Sequence, residues 1–197
     1  MMLQYPQPDL KSYLRAWSGG GYIDLRYHKE TCWQIALREE SFEEISENVE
    51  FITCRVAQGG YSVASSSKID GESIKSVMLK AEKLARLQAQ PVSLAPVGVE
   101  IGYRRHSASG MFDESEAAAF LKDLSARLRE RLGSLYARSE LILSHTEVHS
   151  SLVTSEGTEV CEEIPLTDLV IYLAARWFRV GYASCVVGGL GGVEVLK

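Results

Sequence analysis

Cysteine is scarce in this chain. The 197 residues hold only four. They are Cys32, Cys54, Cys161 and Cys185, with no Cys-x-x-Cys pair among them. Neither a zinc ribbon nor a dithiol redox motif is indicated. Cys185 stands alone beside an apolar run, so buried packing is its expected role. No stretch approaches the ~18 consecutive apolar residues of a membrane-spanning helix. The segment Met1 to Trp17 carries Pro6, Pro8, Asp9, Lys11 and Arg15 but no apolar core, so it does not read as a secretory signal. The expected location is the cytoplasm, with reduced thiols and no membrane partner. Positive charge is also short: 21 Lys and Arg against 26 Asp and Glu give a net charge of −5. No nucleic-acid partner is expected. The short basic runs, Arg104-Arg105-His106 and Arg127 to Arg131, read as solvated faces rather than phosphate clamps. There is no internal repeat and no low-complexity segment beyond the glycines near the end.

What is present suits a globular fold. Hydrophobic residues make up 46% and charged residues 24%, an ordinary balance for a soluble chain of one large or two small domains. Leu10, Tyr13, Leu14 and Trp17 repeat at helical spacing after Pro8-Asp9, and Gly19-Gly20-Gly21 stops that helix. Tyr22 to His28 and Cys32 to Arg38 then read as two strands. Residues 42 to 66 are rich in strand formers and are broken into a hairpin at Gln58-Gly59-Gly60.

Asp70 to Gln88 reads as an amphipathic helix with Ile74, Val77, Met78, Ala81, Leu84 and Ala85 as its apolar stripe. Gln90 to Pro96 reads as a linker and marks the internal boundary. A strand, Val97 to Tyr103, opens the second part. A second helix starts at a capping-box-like Asp113 and Glu116 and carries Ala117, Phe120, Leu121, Leu124 and Leu128 on one face. Gly133 is placed as its C-terminal cap. Residues 139 to 154 and 158 to 164 flank the turn signal Ser155-Glu156-Gly157. Leu169 to Trp177 is apolar and fits either a strand or a short helix. Strands cluster rather than alternate with helices. The expected fold class is therefore α+β, with antiparallel sheets and flanking helices.

The candidate chemistry is thin. His145-Thr146-Glu147-Val148-His149 has two histidines four apart, close to the H-E-x-x-H spacing of a zinc peptidase helix. A peptidase helix needs its glutamate beside the first histidine, where it can reach a metal-bound water. Thr146 stands there instead. The neighbours favour a strand, which puts His145, Glu147 and His149 on one face. A polar strand face is the plainer reading, because two histidines and a carboxylate are a short ligand set. Gly188-Gly189-Leu190-Gly191-Gly192 lacks the Lys-Ser/Thr of a phosphate-binding loop and reads as a flexible or strand-terminating tail. Ser65-Ser66-Ser67 has no nucleophile-elbow context. No catalytic, cofactor-binding or metal residue is assigned.

Several stretches in order resemble the N-terminal region of the TldD/PmbA proteins, also called the modulator of DNA gyrase family. Tyr22-Ile23-Asp24-Leu25-Arg26 is similar to that family's Y-A-D-(V/L)-R strand. Cys54-Arg55-Val56 through Gly59-Gly60 to Ser65-Ser66 resembles its V-R-V-x-x-(D/G)-G-x-x-G-F-A-S-T hairpin. Lys80 to Arg86 fits the helix that follows. Thr154-Ser155-Glu156-Gly157-Thr158 resembles its N-S-(D/E)-G-T turn, and Gly188 to Glu194 its G-G-x-E segment. Ser62 departs from the usual glycine, and Asn48-Val49-Glu50 from a glycine-rich approach to the hairpin.

The resemblance covers nearly the whole chain. It implies two sub-domains, at 1–90 and 97–197, with the C-terminal metallopeptidase domain absent. The family's zinc helix, H-E-x-x-x-H, would lie in that missing domain, so no zinc or other cofactor is expected here. The implied role is non-catalytic: assembly and enclosure of a peptidase chamber. A homodimer, or a heterodimer with a TldD/PmbA-type chain, is the expected partner arrangement, and a peptide substrate would be met only by the assembled peptidase. Two rivals stand beside this reading. One is a stand-alone dimeric scaffold. The other is a small metalloenzyme using His145, Glu147 and His149.

Overall fold

The structure is a computed structural model that describes residues 8–88, 92, 94–95, 98–106 and 113–196. Of the expected linker, only Val92, Leu94 and Ala95 fall within the described residues, and Val97 of the expected strand lies outside them. Among the described residues three α-helices, α1 (Leu10–Arg15), α2 (Gly71–Leu87) and α3 (Glu114–Leu132), accompany seven strands. These are β1 (Tyr22–Arg38), β2 (Ser41–Gln58), β3 (Gly60–Ser66), β4 (Ile101–Arg105), β5 (Tyr136–Thr154), β6 (Glu159–Arg176) and β7 (Val180–Leu190). The antiparallel strands and flanking helices make the chain α+β, as the clustering of strands in the sequence predicts. No helix among the described residues is long and apolar enough to cross a membrane.

The chain forms two compact units, each drawn from three stretches. The first takes Met1–Lys29, Val49–Arg104 and His149–Glu163; the second takes Glu30–Asn48, Arg105–Val148 and Ile164–Lys197. In the first unit the strands run β3-β2-β1-β5-β6-β4. Helix α2 lays Ile74, Val77, Met78, Ala81 and Ala85 on a core that includes Ile23, Leu25, Tyr27, Ile52 and Val56. Each fully buried aliphatic side chain of this kind stabilises the fold by about 1.5–3 kcal/mol. Leu84, expected on the stripe, sits at its margin and is exposed. Asp70 caps the helix, its carboxylate accepting from the Ser73 amide at 2.8 Å.

In the second unit the order is β2-β1-β5-β6-β7. Helix α3 buries Ala117 and Leu121 against Ile35, Leu37, Leu141, Leu143 and Leu169, with Phe120, Leu124 and Leu128 partly covered. Its cap is Asp113, which accepts from the amides of Ser115 at 2.8 Å and Glu116 at 3.0 Å. Gly133 closes it with φ 49°, a conformation that suits glycine.

Three local expectations change. Tyr22 to His28 and Cys32 to Arg38 are one continuous strand of 17 residues, because the polar Lys29-Glu30-Thr31 interrupts the apolar pattern but not the ladder. The run Leu169 to Trp177 resolves as strand up to Arg176, the end of β6. Gly188 and Gly189 lie inside β7 and are paired with Asp168 and Thr167, so the strand ends two residues later than the glycines suggest. At Gly188 an added Cβ would sit 2.4 Å from the Thr167 carbonyl oxygen, so only glycine fits that approach.

Candidate functional site

Alternation along β1 places Tyr22, Asp24 and Arg26 on one face and Ile23, Leu25 and Tyr27 on the other. In the first unit both faces are covered at this point: Ile23, Asp24 and Leu25 are all fully buried. A buried carboxylate needs partners, and Asp24 has them. The Arg55 guanidinium, on β2, donates from Nε to both carboxylate oxygens at 3.0 and 2.8 Å, and its Nη2 lies 2.7 Å from Oδ2. The Tyr22 hydroxyl donates to Oδ2 at 2.7 Å. The Arg26 Nε stands farther off, 3.9 Å from Oδ1.

The turn at Thr154 to Thr158 joins the same place. The Ile23 amide donates to the Ser155 hydroxyl at 3.1 Å, and the Ser155 amide donates to the Ile23 carbonyl at 2.8 Å. Gly21, with φ +91°, brings the chain in; a Cβ there would lie 2.5 Å from the Ala57 carbonyl oxygen. Two of the stretches that carry the family resemblance, around Tyr22-Asp24-Arg26 and Cys54-Arg55-Val56, therefore meet at one buried carboxylate, and a third, Ser155-Gly157, is pinned to the backbone of the adjoining Ile23. The hairpin that carries Arg55 is also tied down by its departure from the pattern: the buried Ser62 hydroxyl donates to the Ala81 carbonyl of α2.

The electrostatics are those of a lock. Burial and the Asp24 hydrogen bond push the Tyr22 phenol up to about 12. Burial, with the Asp24 charge behind it, pushes the Cys54 thiol up to about 12, far from a reactive thiolate. The hydrogen bond to Asp24 raises Arg55 above its ordinary value against the cost of its own burial. Asp24 is fully buried and held by Arg55 and Tyr22, so its carboxylate does not face solvent. The arrangement can hold segments together; it is not set up for proton transfer.

His145, in the second unit, is on a strand, as its neighbours predict, but on the covered face rather than a solvated one. It is buried, and its Nδ1 lies 2.9 Å from the Thr167 hydroxyl. That hydroxyl donates onward to the Gly191 carbonyl at 2.9 Å, which assigns the proton between them to His145 Nδ1. Trp33 stacks on the imidazole at 6.1 Å. Burial lowers the His145 pKa, opposed by the charges of Glu147 and Glu194.

His149 belongs to the first unit, where its Nδ1 is 3.6 Å from Glu163. Among the described residues no three His, Cys, Asp or Glu are grouped to hold a metal. The donor set does not fit a structural zinc here: such a site needs four ligands, and not even three potential ligands gather around His145 among the described residues.

The basic runs lie at the surface, as expected. Arg104 faces Glu100 and Glu162, Arg127 faces Asp123, and Arg129 faces Glu40. In the second unit an open groove of about 560 Å³ is lined by Arg38, Glu140, Tyr172 and Tyr182 among others, and Arg38 is already neutralised by Glu43 and Glu140. Cys185 overturns its expected burial: it is exposed, because nothing among the described residues covers β7. The sequence pattern alone does not reveal Asp24 as a fully buried ion pair. Its nearest signal is the Tyr22-Asp24-Arg26 motif, whose alternation looks like an ordinary solvent-facing edge.

No family model and no curated protein matches the chain by sequence. Solved structures match it by fold. TldE from Thermococcus kodakarensis superposes with a TM-score of 0.65 at 12% identity, over 91% of this chain and 41% of that one. A proposed modulator of DNA gyrase from Bacteroides thetaiotaomicron VPI-5482 gives 0.64 at 13% identity, over 91% and 44%. Another, from Thermotoga maritima MSB8, gives 0.68 at 8% identity, over 94% and 44%. The chain thus has the fold found in TldE and these gyrase-modulator structures, and it spans less than half of their length.

Proposed function

We propose that this chain acts as the non-catalytic N-terminal part of a TldD/PmbA-type metallopeptidase, serving assembly and enclosure of the peptidase chamber in the cytoplasm. The metal and the cut peptide would belong to another domain or chain. The observation that carries the reading is the join at Asp24, where two motif stretches share one buried ion pair and a third is bonded to the neighbouring Ile23 backbone. The likeness in fold over nine-tenths of the chain supports it. A buried, ion-paired carboxylate at that join suits a part whose work is to hold shape.

The test is co-expression with an H-E-x-x-x-H chain from the same genome. The expected result is co-elution, with peptide hydrolysis by the pair and none by this chain alone. Hydrolysis by this chain alone, or no co-elution with any such chain, overturns the proposal. A second reading, a stand-alone dimeric scaffold, is favoured by one observation: β7 is uncharged, and exposed everywhere but at Gly189.

A further inference from the structure

The second unit has two sheet edges, and they differ in kind. One is the stretch of β2 from Ser41 to Asn48, which carries Glu43, Glu44 and Glu47. Charges of one sign on an edge deter pairing with another chain. The other edge is β7. Val180–Leu190 holds no charged residue and no proline, and every residue but Gly189 is exposed. Among the described residues β7 pairs only with β6. Its outer row of backbone N–H and C=O groups has no strand partner there, and its side chains are uncharged and mostly apolar: Tyr182 is 74% exposed and Val186 66%. A long, neutral, apolar edge of this kind is a template for another strand.

We propose that β7 is a self-pairing edge, and that its partner is β7 of a second copy of this chain, joined antiparallel about a two-fold axis. The proposal rests on the assembly role argued above and names a surface for it. The charge pattern selects the partner. An acidic edge cannot pair with itself without opposing like charges, whereas β7 can. The register with full overlap is centred on Cys185, the middle residue of the strand. It sets Val180 against Leu190, Tyr182 against Gly188 and Ser184 against Val186 on one face. The other face sets Ala183 against Val187 and Cys185 against its own copy. No charge is opposed anywhere, and the Tyr182 ring covers a glycine, a pairing that protects exposed backbone. Such a contact is isologous and closes at two copies.

The experiment is size-exclusion chromatography with light scattering on the full chain, together with Val186→Lys on β7 and Ile45→Lys on the β2 edge. Val186 and Ile45 are both exposed, so neither change disturbs a core. Wild type and I45K are expected at about twice 21.8 kDa, and V186K at a single chain's mass with an unchanged circular dichroism spectrum. Mild oxidation of the wild type should give a covalent dimer that Cys185→Ser abolishes, and this readout decides the matter if V186K does not fold. A V186K protein that stays dimeric overturns the edge pairing and leaves the assembly reading standing. Failure of a dimeric wild type to cross-link at Cys185 overturns it too, as does an open polymer that I45K dissolves, which would show β7 meeting β2 head to tail. A monomeric wild type at micromolar concentration also overturns the pairing; the assembly reading is then judged by co-elution with a catalytic chain.

Discussion

Asp24 has no contact with water and depends on its donors. Replacing Arg55 by Met keeps most of the side-chain volume but leaves the carboxylate without its cation. Breaking a buried pair from one side costs about 3–5 kcal/mol, and the lower end applies here because Arg55 is partly exposed. The expected outcome is a loss of about 3 kcal/mol in a urea titration, with much of it recovered in the double variant Asp24→Leu, Arg55→Met. A loss below about 1 kcal/mol would mean the pair is not what holds the segments.

His145 makes a separate prediction. Burial lowers its pKa in the folded chain, so the unfolded chain binds the proton more tightly. Stability therefore rises with pH through that window, and it is lost as pH falls from the ordinary value of 6.5 toward the lower folded value. His145→Gln should flatten the stability profile between the lowered folded value and 6.5. An unchanged slope in the variant would show that other groups govern it. Cys54 should resist thiol reagents at mildly alkaline pH until the chain unfolds, since burial holds its thiol near 12.

At the scale of elements, legibility followed local chemistry. Helices α2 and α3 were readable because apolar spacing and caps agree: Asp70 and Asp113 at the starts, Gly133 at one end. The β2–β3 hairpin was readable from Gly59-Gly60, and Gly59 has φ +80°. The long strands were not readable as units. Lys29-Glu30-Thr31 breaks the apolar alternation of β1, yet pairing on both sides carries the strand through. Pro165 looks like a terminator inside β6, yet it sits just before Leu166, where the pairing with β7 begins.

Gly60 shows the limit of reading a turn from composition. Its place in the hairpin was expected; the closeness of α2 was not. A Cβ at Gly60 would lie 2.5 Å from the Ala85 carbonyl oxygen and 2.5 Å from the Gln88 Cβ. Backbone cannot yield as a flexible side chain can, so Gly60→Ala should cost about 1–3 kcal/mol by overpacking. Gly59→Ala, in open space, should lose only what its positive φ costs. Equal losses at both sites, measured by urea titration, would show that turn conformation rather than helix contact sets the requirement.

At the scale of the molecule, the fold was legible through the order of short motifs, although identity to the solved structures is only 8 to 13%. The buried join at Asp24 was not legible, since pairing with Arg55 depends on which strands lie side by side. The bare edge at β7 was hidden for the same reason: Cys185 in an apolar run reads as core until the run proves to be an edge.

Hydrogen exchange tests the consequence of that edge without any substitution. Along an edge strand, alternate amides point away from the sheet and exchange quickly unless a partner covers them. If β7 pairs with a second copy, those amides should slow as concentration rises, because protection follows the dimer population. The acidic stretch of β2, Ser41 to Asn48, should not respond, and β5, which lies between β1 and β6, should stay slow throughout. Val186→Lys should remove the concentration dependence from β7 while leaving β5 as it was. Exchange in β7 that is fast at every concentration, or slow at every concentration in the variant as well, would show that its amides answer to something other than a second copy.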